Sequence, residues 1–190
     1  REALMTRRFT LGFFMALAGF GFAASAGQTP VSPYAGQTAR DIKALSPEDV
    51  QAYLAGKGMG LAKAAELNGF AGPAHVLELA QPLALTDEQR RRTEALFAAM
   101  ESRAQALGRA LVEEERKLDQ LFATRTVTHE ALNRSLLEIG TLQARLRATH
   151  LEAHLAQVQI LSAEQNARYA TLRGYGAAAG HGEHARPHKH

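Results

Sequence analysis

From residue 87 to about residue 124, apolar positions recur at alternating intervals of three and four: Phe97, Met100, Ala104, Leu107, Leu111, then Leu118 and Leu121, with Glu114 interrupting. A mean spacing near 3.5 residues predicts a long helix with a narrow coiled-coil seam. Leu96, Val112 and Phe122 widen the stripe. A second helix, about 129–159, repeats the pattern through Leu132, Leu136, Ile139, Gln143 and Leu146 and continues into His150 and Ala153. The few residues between them, Thr124 to Thr128, force the two helices to lie antiparallel as a hairpin. Leu137, Leu142, Leu151, Leu155 and Val158 fall off this seam. A buried leucine contributes roughly 1.5–3 kcal/mol, so a second chain, or short helices folded across, should cover them. A homodimer is the expectation.

Each long helical stretch is bracketed by a polar signal. Leu85-Thr86-Asp87-Glu88-Gln89 and Leu161-Ser162-Ala163-Glu164-Gln165 are near copies. Thr86 and Ser162 suit the N-cap, and Gln89 and Gln165, three residues on, can reach back to complete a capping box. The second box predicts a last helix from Ala163 to about Arg173. Upstream, Ser46, Pro47 and Asp49 predict a short capped helix that ends in Gly56-Lys57-Gly58-Met59-Gly60. That glycine run lacks the Gly-Lys-Ser/Thr ending of a phosphate loop and follows no strand, which argues against nucleotide binding. Leu61 to Leu67 read as one or two helical turns, and His75 to Gln81 as a brief helix stopped by Pro82.

Paired LTxxQ motifs around a helical hairpin, behind a secretion signal, resemble the Spy/CpxP group of small periplasmic proteins. The resemblance covers about residues 73–175. It implies an ATP-independent chaperone or envelope-stress regulator whose antiparallel dimer offers a concave surface to unfolded envelope proteins. It also implies kinship with periplasmic heavy-metal sensors and zinc-resistance proteins, whose ligands lie on the first and last helices as His-x-x-x-His and His-x-x-x-Met pairs. This chain has one histidine in that first helix and no methionine after His150.

Composition narrows the rest. Helix formers dominate 190 residues with no tryptophan, pointing to an all-α fold. Cysteine is absent, so disulfides, thiolate metal sites and a lipoprotein anchor are excluded. Residues 5–26 read as a signal peptide: Arg7 and Arg8, an apolar stretch from Phe9 to Phe22, then Ala24-Ser25-Ala26 as the cleavage site. Met5 reads as the start, with Arg1 to Leu4 upstream of it. The apolar run is shorter than the ~20 residues that span a bilayer, so export to the periplasm without stable membrane insertion is expected. The mature chain would carry a charge of about +1, unlike a nucleic-acid binder with its dense basic patch. Residues 27–72 read as a polar linker with a short helix, and residues 176–190 as a disordered, histidine-rich tail.

No catalytic constellation assembles from these residues, so an enzyme is not expected, and no cofactor is required. Acids on the helices sit among bases, as with Glu113 and Lys117, and read as solvated pairs. His150 and His154, four apart, share one helix face and can share a metal ion such as zinc, nickel or copper. Glu78 precedes its motif leucine by seven residues, as His154 does, and His75 lies one turn earlier. If the short helix packs beside the return helix, His75, Glu78, His150 and His154 converge. The other reading makes His150 a hydrogen-bonded packing residue on the seam and leaves His154 partly exposed. His181, His184, His188 and His190 in the tail could hold metal loosely, or form only a polar end. The arginines that interleave the hairpin read as client contacts or as a solvated face. The function expected first is therefore client shielding, and second metal sensing or buffering. A structural partner of an envelope histidine kinase would share the same fold.

Overall fold

The computed structural model describes residues 31–175, and those residues form helices and turns with no strand. Six helices follow in order: α1 (Pro47–Leu54), α2 (Lys63–Glu66), α3 (Pro73–Glu78), α4 (Asp87–Ala123), α5 (His129–Val158) and α6 (Ala163–Leu172). None of the helices among the described residues is long and apolar enough to cross a membrane. Residues 31–35 hold a turn closed by Ala35 N–H on the Ser32 carbonyl at 2.9 Å. The remaining described residues, from Gly36 on, belong to one compact unit. The expected signal segment, residues 1–26, and the tail histidines lie outside the described residues.

Capping chemistry starts the helices where the sequence predicts. Ser46, Thr86 and Ser162 each accept from the backbone N–H three residues on, and Asp49, Gln89 and Gln165 reach back to complete three capping boxes. Thr128 caps α5 through Ala131 N–H. The brief helix α3 is the exception: it begins with Pro73 at its first position and ends at Glu78, short of the predicted Gln81.

The long helices pack through Ala104, Leu107 and Leu111 of α4 against Ile139, Leu142 and Leu146 of α5. Earlier residues of α4 meet later residues of α5: Arg103 binds Glu152 at 2.9 Å, and Thr93 receives a bond from Gln157. The buried stripe of α5 corrects the predicted seam. It runs through Ser135, Ile139, Leu142, Leu146, Thr149, His150, Ala153, His154 and Gln157. Leu136 and Gln143 are exposed, whereas Leu142, expected off the seam, is buried. Small polar residues explain the shift, because a seam counted on apolar residues alone passes over Ser135 and Thr149. Thr149 can be buried because its hydroxyl donates to the Arg145 carbonyl one turn back at 2.9 Å. Leu137 stays 75% exposed and Leu155 55% exposed, so the short helices do not cover these off-seam positions. Glu113 and Glu114 pair with Arg116 and Lys117 three residues on, and the predicted Glu113–Lys117 pair does not form.

Residues 36–72 are built into the fold rather than strung beside it. Ile42 is buried, and Lys43 N–H donates to the Asp119 carboxylate of α4 at 3.0 Å. Tyr53 of α1 and Leu61 pack onto the core of the long pair. The approach of α1 to α4 is backbone on backbone: a Cβ on Gly108 would stand 2.1 Å from the Tyr53 carbonyl oxygen. Only glycine admits that contact.

Candidate functional site

The two motifs meet at one end of the long helices. Gln89 and Gln165 form a reciprocal amide pair, with Nε2-to-Oε1 distances of 2.7 and 3.0 Å. Each amide also donates to a carbonyl beside the other motif, Gln89 to Ile160 at 3.0 Å and Gln165 to Leu83 at 3.1 Å. Beneath them Leu161, Leu83, Val76, Ala71 and Tyr169 form a second apolar cluster, with Leu85 packed against it. This clasp joins the start of α6 to the start of α4.

Glu66, at the end of α2, is drawn into that junction and is 8% exposed. Its Oε1 accepts from the Tyr169 hydroxyl at 2.6 Å, the Tyr175 hydroxyl at 3.0 Å and Arg173 Nε at 3.3 Å. Burial pushes its pKa up, but the two tyrosine bonds and the nearby His75 and His154 hold it below the usual carboxylate range. Tyr169 is pushed far up by burial and by its bond to the Glu66 carboxylate. The other carboxylate oxygen, Oε2, is buried and has no hydrogen-bond partner.

Two histidines, His75 and His154, lie beside this carboxylate, and a third, His150, borders the same cleft. Arg173 Nη2 lies 3.4 Å from His75 Nε2 and can only donate, so that nitrogen accepts and the proton sits on Nδ1. His75 Nδ1 is 3.5 Å from Glu66 Oε1. His154 Nδ1 lies 2.7 Å from the Phe70 carbonyl, which can only accept; Nδ1 therefore donates, and in the neutral tautomer this bond selects, the lone pair is on Nε2. Gly72 makes room for this ring, since a Cβ there would stand 2.9 Å from His154 Nε2. His150 is 4% exposed, and its Nε2 is buried without a partner. Burial first, and the neighbouring His154 second, push its pKa down, so the ring is neutral near pH 7. The reading of His150 as bonded and His154 as the freer ring is thus reversed.

His75, Glu78, His150 and His154 all border one cleft of about 500 Å3. They do not close on a common point. His75 is engaged by Arg173 and Glu66, and Glu78 stays exposed. Among the described residues no group of three or more histidine, aspartate or glutamate side chains is placed to hold a metal ion. The cleft also takes in Glu66, Met59 and Met100, which the sequence reading did not single out. Nothing near Glu66 in sequence marks it, because its partners Tyr169, Arg173 and Tyr175 lie at the far end of the chain. No protein-family model, curated protein or solved structure matches this chain.

Proposed function

We propose that this chain is an exported, periplasmic protein of the Spy/CpxP type, an antiparallel helical hairpin that acts by binding rather than by catalysis, and that its cleft takes a metal ion for sensing or buffering. The observation that supports the metal reading is the state of the two helix-α5 histidines. His154 Nδ1 donates to the Phe70 carbonyl, which leaves Nε2 as the ring's available donor atom for a metal, and His150 has a buried, unpartnered Nε2. Metal-binding histidines are oriented in this way by a carbonyl behind the ring. Isothermal titration of zinc, nickel and copper into the full chain, with the four tail histidines replaced by alanine, tests the reading. Micromolar or tighter binding that His150→Ala with His154→Ala abolishes is expected; binding unchanged in that variant, or none, overturns it.

Client shielding is the second reading, and the exposed leucines Leu136, Leu137 and Leu155 on α5 favour it. A face of this kind suits either a homodimer contact or a loose grip on unfolded envelope proteins. Metal-free protein at near-stoichiometric amounts should then suppress aggregation of a denatured substrate. No suppression at tenfold excess would remove this reading.

A further inference from the structure

We infer that the cleft is selective for a soft monovalent cation, cuprous copper, held by the thioethers of Met59 and Met100 together with the imidazoles of His150 and His154. The inference rests on the metal reading above and adds to it the identity of the ion and two ligands. Both methionines of residues 31–175 border this one cleft, although they come from different elements, Met59 from the loop after α1 and Met100 from α4. The edge of the His150 ring formed by Nδ1 and Cε1 faces Gly58, the residue next to Met59. Met59 is 41% exposed and sits between two glycines at a φ of 46°, in the left-handed region that unbranched apolar residues seldom occupy. Met59 is thus a partly exposed residue on the border of the cleft.

The donor chemistry decides which ion fits. Zinc sites use at least three nitrogen, oxygen or thiolate donors from the protein, and among the described residues no three histidine, aspartate or glutamate side chains are grouped to supply them. Thioether sulfur is a soft, neutral ligand that selects the cuprous ion. A cuprous ion accepts linear or trigonal coordination, so two imidazoles and two thioethers exceed its requirement. His75 is not a ligand in this arrangement, because Arg173 and Glu66 engage both of its nitrogens.

The test uses the full chain with His181, His184, His188 and His190 replaced by alanine. Cuprous ion is titrated anaerobically against a chromogenic cuprous chelator, and zinc is titrated in parallel. The expected result is one cuprous ion per chain, with affinity reduced at least tenfold by Met59→Leu with Met100→Leu and zinc affinity unchanged by that pair. Leucine preserves volume and apolarity, and circular dichroism checks the fold of the variant. On the protein with both methionines intact, X-ray absorption should show sulfur neighbours of copper, and the methyl resonances of Met59 and Met100 should shift with copper but not with zinc. A copper shell without sulfur, or affinity that ignores the methionine pair yet depends on His150 and His154, overturns this inference while leaving the metal reading standing. Failure of every metal to bind overturns both.

Discussion

Gln89 and Gln165, 76 positions apart, are bonded to each other through both amide atoms, while each also closes the capping box of its own helix. One side chain therefore does two jobs, starting a helix and joining it to another. Replacing either glutamine with alanine strands its partner's amide in a part-buried setting and should cost about 1–3 kcal/mol. The double variant should cost less than the sum of the singles, giving a coupling of about 0.5–3 kcal/mol in urea unfolding. Additive losses would mean that the two boxes act separately.

Gly108 is the residue most exposed to a minimal change. Alanine there would drive a methyl group into the Tyr53 carbonyl, and no rotamer can relieve a clash with backbone. Overpacking of this kind costs about 1–3 kcal/mol. Hydrogen exchange should find α1 released in Gly108→Ala, with faster tryptic cleavage at Lys57 and Lys63 and the α4 and α5 amides still protected.

The carboxylate of Glu66 gathers two tyrosines and an arginine from the last described helix and the residues after it. Glu66→Gln removes the charge from three bonds at once, and each bond to a charged group is worth about 1.5–3 kcal/mol. Tyr169→Phe leaves the Tyr175 and Arg173 bonds in place and should be the milder change. A thermal melt in which Glu66→Gln matched the wild-type chain would show that the junction is held by its apolar cluster alone.

Glu115, beside Leu118 and Phe122 of α4, has its pKa pushed up by burial. A carboxyl whose folded pKa lies above its unfolded one binds more protons when folded. Stability therefore falls as pH rises through that window, and the penalty is fully present at neutral pH. Glu115→Gln should raise the melting temperature at pH 7, and the gain should shrink below about pH 4, where the carboxyl is protonated in both states. A gain independent of pH would assign the effect to packing.

The helix starts were legible because capping is local: Thr86 with Gln89, and Ser162 with Gln165, read directly from residues three apart. The face that α5 buries was less legible. Its stripe passes through Ser135, Thr149 and Gln157, which a count of apolar residues passes over; Thr149 and Gln157 are buried with bonds to the Arg145 carbonyl and the Thr93 hydroxyl. Within the site, the spacing of four between His150 and His154 was visible in the sequence, and both border one cleft with Glu78, though the three do not meet at one point. Glu66 was hidden because a lone acid in a short helix has no local signature; its meaning comes from residues more than a hundred positions away. Met59 and Met100 were hidden for the same reason, each an ordinary apolar residue until the fold sets them across a shared space.

The contact of Gly108 with Tyr53 also bears on how far this chain can be shortened. The part that resembles a bare hairpin carries, in the middle of its longer rod, a notch cut to receive one particular carbonyl from the segment in front. A fragment starting at residue 73 would keep the notch and lose the tenon, together with Met59 and Glu66 from the lining of the chamber. Deletion would thus yield an open trough with its floor intact and one wall gone, and the resulting piece should be judged as a different receptor rather than a smaller copy.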